Sequence, residues 1–148
     1  MQNTTLCYIE KNNEYLMLHR VKKENDLNHD KWIGIGGKFL ENESPDECLV
    51  REAYEETGLT LTEFKLRAVI TFVSDIYECE QMFLYTATDF VGEIIECDEG
   101  ILEWVSKDKV LELPTWEGDR YFLERILEDS DFFTMKVVYE GDKLIEVK

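Results

Sequence analysis

Short runs of apolar, β-branched and aromatic residues, separated by polar clusters, make up most of the chain. Residues 4–9 and 14–19 are two such runs, and the polar turn at 10–13 between them predicts a β-hairpin. A short apolar piece at 32–35 follows a polar loop at 21–31. Runs of the same character predict five more strands. They lie at 61–74 and 81–90, at 101–105, and at 132–139 and 143–147.

A helix start and a helix stop frame residues 45–57. Ser44 has the position of an N-cap, Pro45 that of the first helical residue, and Glu47, three residues after the cap, completes a capping box. Gly58 suits the left-handed C-cap, because it has no Cβ. The pattern therefore predicts a helix from Pro45 to Thr57.

Two further helices are predicted in the last third of the chain. Ser106 has the position of an N-cap for a short helix at 107–111 that ends before Pro114. Residues 117–127 carry apolar side chains at a helical period. Strands mixed with two or three helices predict an α/β fold in which helices pack on a mixed β-sheet. A chain of 148 residues fits one domain, spanning 1–148.

The net charge of the chain disfavours some classes of binding partner. A net charge of −17 repels nucleic-acid polymers and anionic membrane surfaces, and a small polyphosphate binds only where cations reverse the local field. The four cysteines form no Cys-x-x-Cys pair, and the N-terminus lacks the character of a targeting segment. We therefore expect a cytoplasmic protein with reduced thiols, a small-molecule substrate, and a monomeric or homodimeric state.

The predicted helix 45–57 carries a group of acidic side chains. Glu52, Glu55 and Glu56 stand at offsets of 0, 3 and 4, which places them on one helix face. In a chain with 22 glutamates, such a group alone is more often a solvated surface. The functional alternative is a site for a hard cation, since Mg²⁺ and Mn²⁺ prefer oxygen ligands.

A longer pattern decides between these interpretations. Seven residues between positions 37 and 59 match the Nudix box, Gly-x5-Glu-x7-Arg-Glu-U-x-Glu-Glu-x-Gly-U, where U is a bulky aliphatic residue. By composition alone this match is expected in roughly one such chain in 10⁵. The chain thus resembles the Nudix hydrolases. The matching residues are Gly37, Glu43, Arg51, Glu52, Glu55, Glu56 and Gly58.

The resemblance implies a Nudix α/β/α sandwich with a mixed β-sheet and a catalytic loop-helix-loop. It implies that Glu55 and Glu56 are the main metal ligands and that Glu52 is a third ligand or the general base. The Gly37 carbonyl often joins the metal shell in this family. Arg51 is expected to pair with Glu43 or a ligand carboxylate and so to hold the site in position.

The implied chemistry is hydrolysis of a diphosphate linkage. Mg²⁺, with Mn²⁺ as an alternative, activates a water molecule and neutralises charge on the substrate, and a carboxylate takes the proton. The bound cations resolve the conflict between an anionic substrate and an acidic protein.

A closer resemblance extends beyond the box, to the MutT-type enzymes and other triphosphatases that act on 8-oxo-dGTP and oxidised purine nucleotides. It rests on Lys31-Trp32-x-Gly34-x-Gly36-Gly37-Lys38, on residues 96–99 with Trp104, and on Leu113-Pro114-x-Trp116-x-x-Asp119-x-Tyr121. In that group the residue matching Glu99 often serves at the metal or as a base. Trp116 is expected to stack on the purine and Asp119 to hydrogen-bond it.

Other substrate contacts are predicted with alternatives. Ile33 stands where a base-reading Asn is common, which changes the preferred base. Lys23 and Lys38 are expected to contact phosphates, although basic loop residues are usually only solvated. Trp116 and Trp32 are alternatively core aromatics. The expected substrate contacts are Lys23, Trp32, Ile33, Lys38, Trp116 and Asp119.

The open functional alternatives keep the same fold. One is hydrolysis of another diphosphate, such as ADP-ribose, a nucleotide sugar or a dinucleotide polyphosphate. The other is a module that binds a nucleotide without cleaving it. The intact Glu52, Glu55 and Glu56 argue against this second alternative, because loss of those ligands is expected in a non-catalytic relative.

Overall fold

The computed structural model describes residues 1–22 and 28–148, and its centre is one mixed β-sheet. The sheet order is β3-β2-β1-β5-β4-β7-β8, and β6 also pairs with β2. Pairing is parallel between β1 and β5 and between β4 and β7, and antiparallel elsewhere. The strands are β1 Gln2–Lys11, β2 Glu14–His19, β3 Trp32–Ile33, β4 Thr60–Ser74, β5 Glu80–Val91, β6 Ile101–Ser106, β7 Phe133–Glu140 and β8 Lys143–Val147.

Two α-helices cover the two faces of this sheet. Helix α1, Pro45–Thr57, packs Leu49 and Ala53 into one buried cluster. Helix α2, Asp119–Leu127, packs Phe122 and Leu123 into another. In β1 and β2, successive buried residues enter opposite clusters, because side chains along a strand alternate between faces. This arrangement confirms the predicted α/β sandwich.

Helix α1 has the predicted bounds. The Ser44 hydroxyl accepts a hydrogen bond from Glu47 N at 3.1 Å, and the Glu47 carboxylate accepts one from Ser44 N at 3.0 Å. Gly58 ends the helix in the left-handed region with φ of 81°, and its N–H bonds Tyr54 O. These caps fix the two ends of α1 at Ser44 and Gly58.

The prediction of a helix at 107–111 is wrong. A turn at 107–109 is followed by a single 3-10 turn, Val110–Glu112, in which Glu112 N bonds Lys109 O. The segment between β6 and Pro114 is short, and residues before a proline are disfavoured in the α region. The second predicted helix begins at Asp119 and not at residue 117, since tight turns precede it: Asp119 N bonds Trp116 O at 3.0 Å and Tyr121 N bonds Gly118 O at 3.1 Å.

All four cysteines are free thiols. Within the described ranges, no helix is both long and apolar enough to cross a bilayer.

Candidate active site

A cleft of about 810 Å³ joins the glutamate face of α1 to the N-terminal end of α2. One side is formed by the glycine segment 34–37, which runs along β1: Thr5 N donates to Gly37 O at 2.9 Å, and Ile35 N donates to Cys7 O at 2.8 Å. The cleft therefore brings together residues far apart in the sequence. The predicted site residues in its wall are Ile33, Gly37, Lys38, Glu52, Glu55, Glu56, Glu99, Trp116 and Asp119.

Arg51 organises the acidic side chains at the α1 end of the cleft. Its guanidinium donates to both oxygens of Glu43, at 2.6 and 2.9 Å, to Glu52 at 2.8 Å and to Glu55 at 3.1 Å. A fifth bond, of 3.0 Å, reaches the Lys38 carbonyl. Hydrogen bonding to Arg51 holds the pKa of Glu43 down at about 2. The fork of the guanidinium thus fixes two of the three predicted ligand carboxylates.

Gly37 lies directly against the carboxylate of Glu52. A Cβ at position 37 would lie 2.5 Å from the Glu52 Cδ, which real side chains do not tolerate. The Glu52 side chain is only 17% exposed, so it has little room to withdraw. Any larger residue at position 37 would therefore displace the Glu52 carboxylate.

Glu56 is the buried member of the glutamate group. It is 8% exposed, and its Oε1 accepts a hydrogen bond from Gly36 N at 3.2 Å. Burial, followed by the charges of Glu99 and Glu52, raises the pKa of Glu56 well above its ordinary value, against the opposing effects of Gly36 and Arg20. A carboxyl group in this position is stabilised in its charged form by a cation.

Glu99 approaches the same end of the cleft from the other side. Its carboxylate accepts a hydrogen bond from Arg20 at 2.9 Å. The negative charge of Glu99 acts on Glu56 across this space. The structure thus places Glu99 beside the α1 glutamates, although it lies 43 residues after Glu56 in the sequence.

The donor set at this end fits a hard divalent cation. Glu52, Glu56 and Glu99 offer carboxylate oxygens, and the charges of Glu52 and Glu99 raise the pKa of Glu56. The Gly37 carbonyl adds a further oxygen, which accepts from Thr5 N at 2.9 Å and from Cys48 Sγ at 3.7 Å. Among the residues that the structure describes, no three acidic, histidine or cysteine side chains already converge as a preformed ion site. Glu52 instead bonds Arg51, and Glu56 bonds Gly36.

The other end of the cleft has an aromatic wall around Trp116. This indole is 7% exposed and meets Phe72, Tyr77 and Tyr139 edge to face, with ring centroids 6.0, 5.9 and 5.2 Å away. The Lys31 ammonium lies 5.0 Å from the ring centroid. Trp116 therefore belongs both to the core and to the cleft wall. Its interpretation as a core aromatic is thus compatible with its interpretation as a surface for the purine.

Asp119 lies near Trp116 at the start of α2. Burial raises the pKa of Asp119 to about 7, while the charge of Lys31 lowers it. The carboxyl group is therefore divided between its protonated and ionised forms near neutral pH. Such a group donates a hydrogen bond in one form and accepts in the other.

The remaining predicted contacts are placed differently. Lys38 lies at the cleft rim, where its ammonium bonds Glu78 at 3.4 Å. Trp32 stacks on His19 at 4.3 Å between ring centroids, and it is not part of the cleft wall given by the described residues. Lys23 lies outside the described residues.

Several cleft residues had no signal in the sequence. Asn28 accepts a hydrogen bond from the Trp116 indole at 2.6 Å, yet it belongs to a polar loop without a motif. Phe72, Met82 and Tyr139 come from three strands. Strand periodicity gives the shared face of such residues only after the strand order is known.

Comparisons with known proteins agree with this geometry. The NUDIX domain model matches residues 2–126, which include the glycine segment, α1 and the start of α2. A crystal structure of the mutator MutT protein from Bacillus halodurans superposes with a TM-score of 0.89 at 30% identity, covering 100% of this chain and 97% of that one.

Two relatives in sequence have similar coverage. The uncharacterized Nudix hydrolase YvcI of Bacillus subtilis (strain 168) is 27% identical over 133 residues, covering 86% of this chain and 80% of the relative. The oxidized purine nucleoside triphosphate hydrolase of Danio rerio is 29% identical over 128 residues, covering 85% of this chain and 81% of the relative.

Proposed function

We propose that this protein, which belongs to the Nudix hydrolase family, converts a nucleoside triphosphate to the monophosphate and pyrophosphate. One observation carries the proposal: a single cleft has the glutamate group of α1 at one end and an aromatic pocket with a titratable carboxyl group at the other. The first end suits a diphosphate with its cations, and the second suits a base. A nucleotide has both parts in one molecule.

The cation would be held by Glu52, Glu55 and Glu56, with Glu99 and the Gly37 carbonyl at the edge of the same space. Mg²⁺ is the proposed ion and Mn²⁺ its substitute, because the donors are all oxygen. When bound, the ion lowers the pKa of a coordinated water and neutralises charge that develops on the phosphates.

The residues of the chain then have separate tasks in hydrolysis. Arg51 orients the carboxylates of Glu52 and Glu55, and one carboxylate of the glutamate group accepts the proton of the attacking water. Lys38 at the cleft rim would give up its bond with Glu78 and pair with a substrate phosphate, to which its ammonium offers a compact positive charge. Water adds to one phosphorus, and the bond between that phosphorus and the bridging oxygen breaks.

An oxidised purine nucleotide is the proposed substrate. Trp116 and Phe72 offer aromatic surface, and Asp119 offers a donor or an acceptor to the base edge. The Danio rerio relative, named an oxidized purine nucleoside triphosphate hydrolase, supports this class. The Ile33 side chain supplies no polar group to the base, and Asn28 on the same cleft wall offers an amide for that role.

Product analysis tests the proposal. The protein is incubated with Mg²⁺ and a panel of normal triphosphates, 8-oxo-dGTP, 2-hydroxy-dATP, ADP-ribose, nucleotide sugars and diadenosine polyphosphates, and the products are identified by ion chromatography. We expect an oxidised triphosphate to yield monophosphate and pyrophosphate faster than its normal counterpart. Cleavage of linked diphosphates alone, or release of inorganic phosphate from triphosphates, would contradict it.

A further inference from the structure

Glu80 is one of the acidic residues of the cleft wall that lie outside the glutamate group of α1; the others are Glu78, Asp98, Glu99 and Asp119. Glu80 is the first residue of β5 and is partly buried in the cleft wall. It pairs in register with Phe72 on β4 and with Gln2 on β1. Because side chains alternate along a strand, Glu80 shares a face with Met82, which also lines the cleft. Glu80 therefore faces the cleft, beside Met82 on the same strand face and in hydrogen-bond contact with Thr4.

The turn before Glu80 is held by several hydrogen bonds. The Ser74 hydroxyl accepts from Tyr77 N at 2.9 Å, and Gln2 N donates to Cys79 O at 3.0 Å. The Tyr77 ring then meets Trp116 edge to face. This turn joins β4 to β5 and ties the start of β5 to the aromatic wall, so the position of Glu80 is set before a ligand arrives.

The charged neighbours of Glu80 differ from those of the α1 glutamates. Burial raises the pKa of Glu80, and Glu78 adds to the rise, while hydrogen bonding with Thr4 and the charge of Lys38 oppose it. The groups that act on Glu56 are instead Glu99, Glu52, Gly36 and Arg20. The charges that act on Glu80 thus differ from those that act on Glu56, and one of them is Lys38 at the cleft rim.

We propose that Glu80 is a specificity-determining residue that accepts a hydrogen bond from a neutral N–H or O–H group of a bound purine nucleotide. This rests on the proposed function and names a contact within it. An ionised carboxylate is an acceptor only, so it binds donor groups and repels phosphates. Glu80 therefore favours the orientation in which the phosphates point to α1. The donor is either a group on the base edge or a sugar hydroxyl, and ligand analogues separate these sources.

The test measures binding by calorimetry in the presence of Mg²⁺, with GMP and four analogues. IMP lacks the exocyclic amino group, 1-methyl-GMP lacks the ring N1–H, and dGMP and 2′,3′-dideoxy-GMP lack one and two sugar hydroxyls. The variants are Glu80→Gln, which keeps the shape, and Glu80→Leu, which removes the acceptor. Glu63→Gln, an exposed residue of β4 outside the cleft, controls for the change in charge.

We expect Glu80→Leu to weaken GMP binding about tenfold, the size of a lost hydrogen bond to a charged group, with a smaller loss for Glu80→Gln. The analogue that lacks the contacted donor should bind wild-type protein weakly and respond little to either variant. Glu63→Gln should leave every dissociation constant unchanged. The analogue with this behaviour identifies the source of the donor.

Unchanged GMP binding in both Glu80 variants, equal weakening of all five ligands, or no binding of GMP to the wild-type protein would overturn the inference. Binding and turnover also separate it from the proposed function. An analogue-specific loss without hydrolysis of any triphosphate would support the Glu80 contact and contradict the catalytic proposal. Triphosphate hydrolysis together with unchanged binding in the Glu80 variants would support the catalytic proposal and contradict the Glu80 contact.

Discussion

Burial raises the pKa of two carboxyl groups at opposite ends of the cleft, but their neighbours give them different chemistry. Glu56 is surrounded by the negative charges of Glu99 and Glu52, which oppose its ionisation further. Asp119 has Lys31 nearby, which favours the charged form, and its pKa is about 7. Glu56 is thus suited to a cation, whereas Asp119 is suited to a hydrogen bond that depends on pH.

The Asp119 carboxyl group makes stability depend on pH in one direction. The pKa of Asp119 is about 7 in the folded protein, whereas its ordinary value is 3.8. The stabilising contribution of this group to the free energy of unfolding is therefore complete below pH 3.8, and it is lost as the pH rises through 7. Asn imitates the protonated form. From pH 5 to pH 8, wild-type protein should therefore lose on the order of 2 kcal/mol in free energy of unfolding relative to Asp119→Asn.

Urea unfolding at several pH values measures this difference. The exposed residue Asp131 supplies the matched control, since Asp131→Asn removes the same charge at the surface and should follow the wild-type pH profile. Parallel stability profiles for wild type and Asp119→Asn across this range would show that burial does not perturb Asp119.

At the scale of elements, the C-terminal end of α1 is a closely packed point of the loop-helix-loop. Gly58 has φ of 81°, and a Cβ there would lie 2.6 Å from the Glu93 carbonyl oxygen. Gly141 in the β7–β8 turn has φ of 61° but has no atom within 4 Å of the same position. The two glycines share the backbone conformation and differ in surroundings.

We expect Gly141→Ala to cost about 1 kcal/mol, the penalty of a left-handed residue with a Cβ. Gly58→Ala should cost about 1–3 kcal/mol more, because the overlap with Glu93 adds to that penalty. Thermal or urea unfolding of both variants gives the comparison. Equal losses would mean that the contact between Gly58 and residue 93 relaxes freely.

Elements with local signals were predicted best. The bounds of α1 follow from Ser44, Pro45 and Gly58, whose effects act within one helical turn. The prediction of a helix at 107–111 was wrong because the segment before Pro114 is short, and only a turn and a single 3-10 turn form there. Gly118, just before α2, bonds Tyr139, which lies 21 residues further along and gives no local signal.

At the scale of the whole molecule, the sequence predicted one end of the cleft better than the other. The glutamates lie on one helix, so their common face follows from helical spacing, and the NUDIX match over residues 2–126 confirms the resemblance found between residues 37 and 59. The aromatic end is built from β1, β4, β5, β7 and α2. Phe72 and Glu80 meet there only through the pairing of β4 with β5, which spacing along the chain does not give.

The net charge of −17 is also a property of the whole molecule. Its field opposes the approach of any polyphosphate, and the acidic group on α1 would deepen that barrier unless cations accompany the substrate. Arg51 compensates only part of this charge, since it already bonds Glu43, Glu52 and Glu55. Divalent cations bound with the substrate would therefore offset the repulsion between the acidic protein and a polyphosphate.

The most direct test of the proposed catalytic site is the turnover of Glu56→Gln on the best substrate of the panel, with Mg²⁺ at saturation. The change keeps the size of the side chain and removes the charge that would hold the ion. Glu63→Gln is the control, and circular dichroism checks that both variants fold. We predict a loss of several orders of magnitude for Glu56→Gln and wild-type turnover for Glu63→Gln. Near-normal turnover in folded Glu56→Gln protein would contradict the assignment of the glutamate group as the catalytic centre.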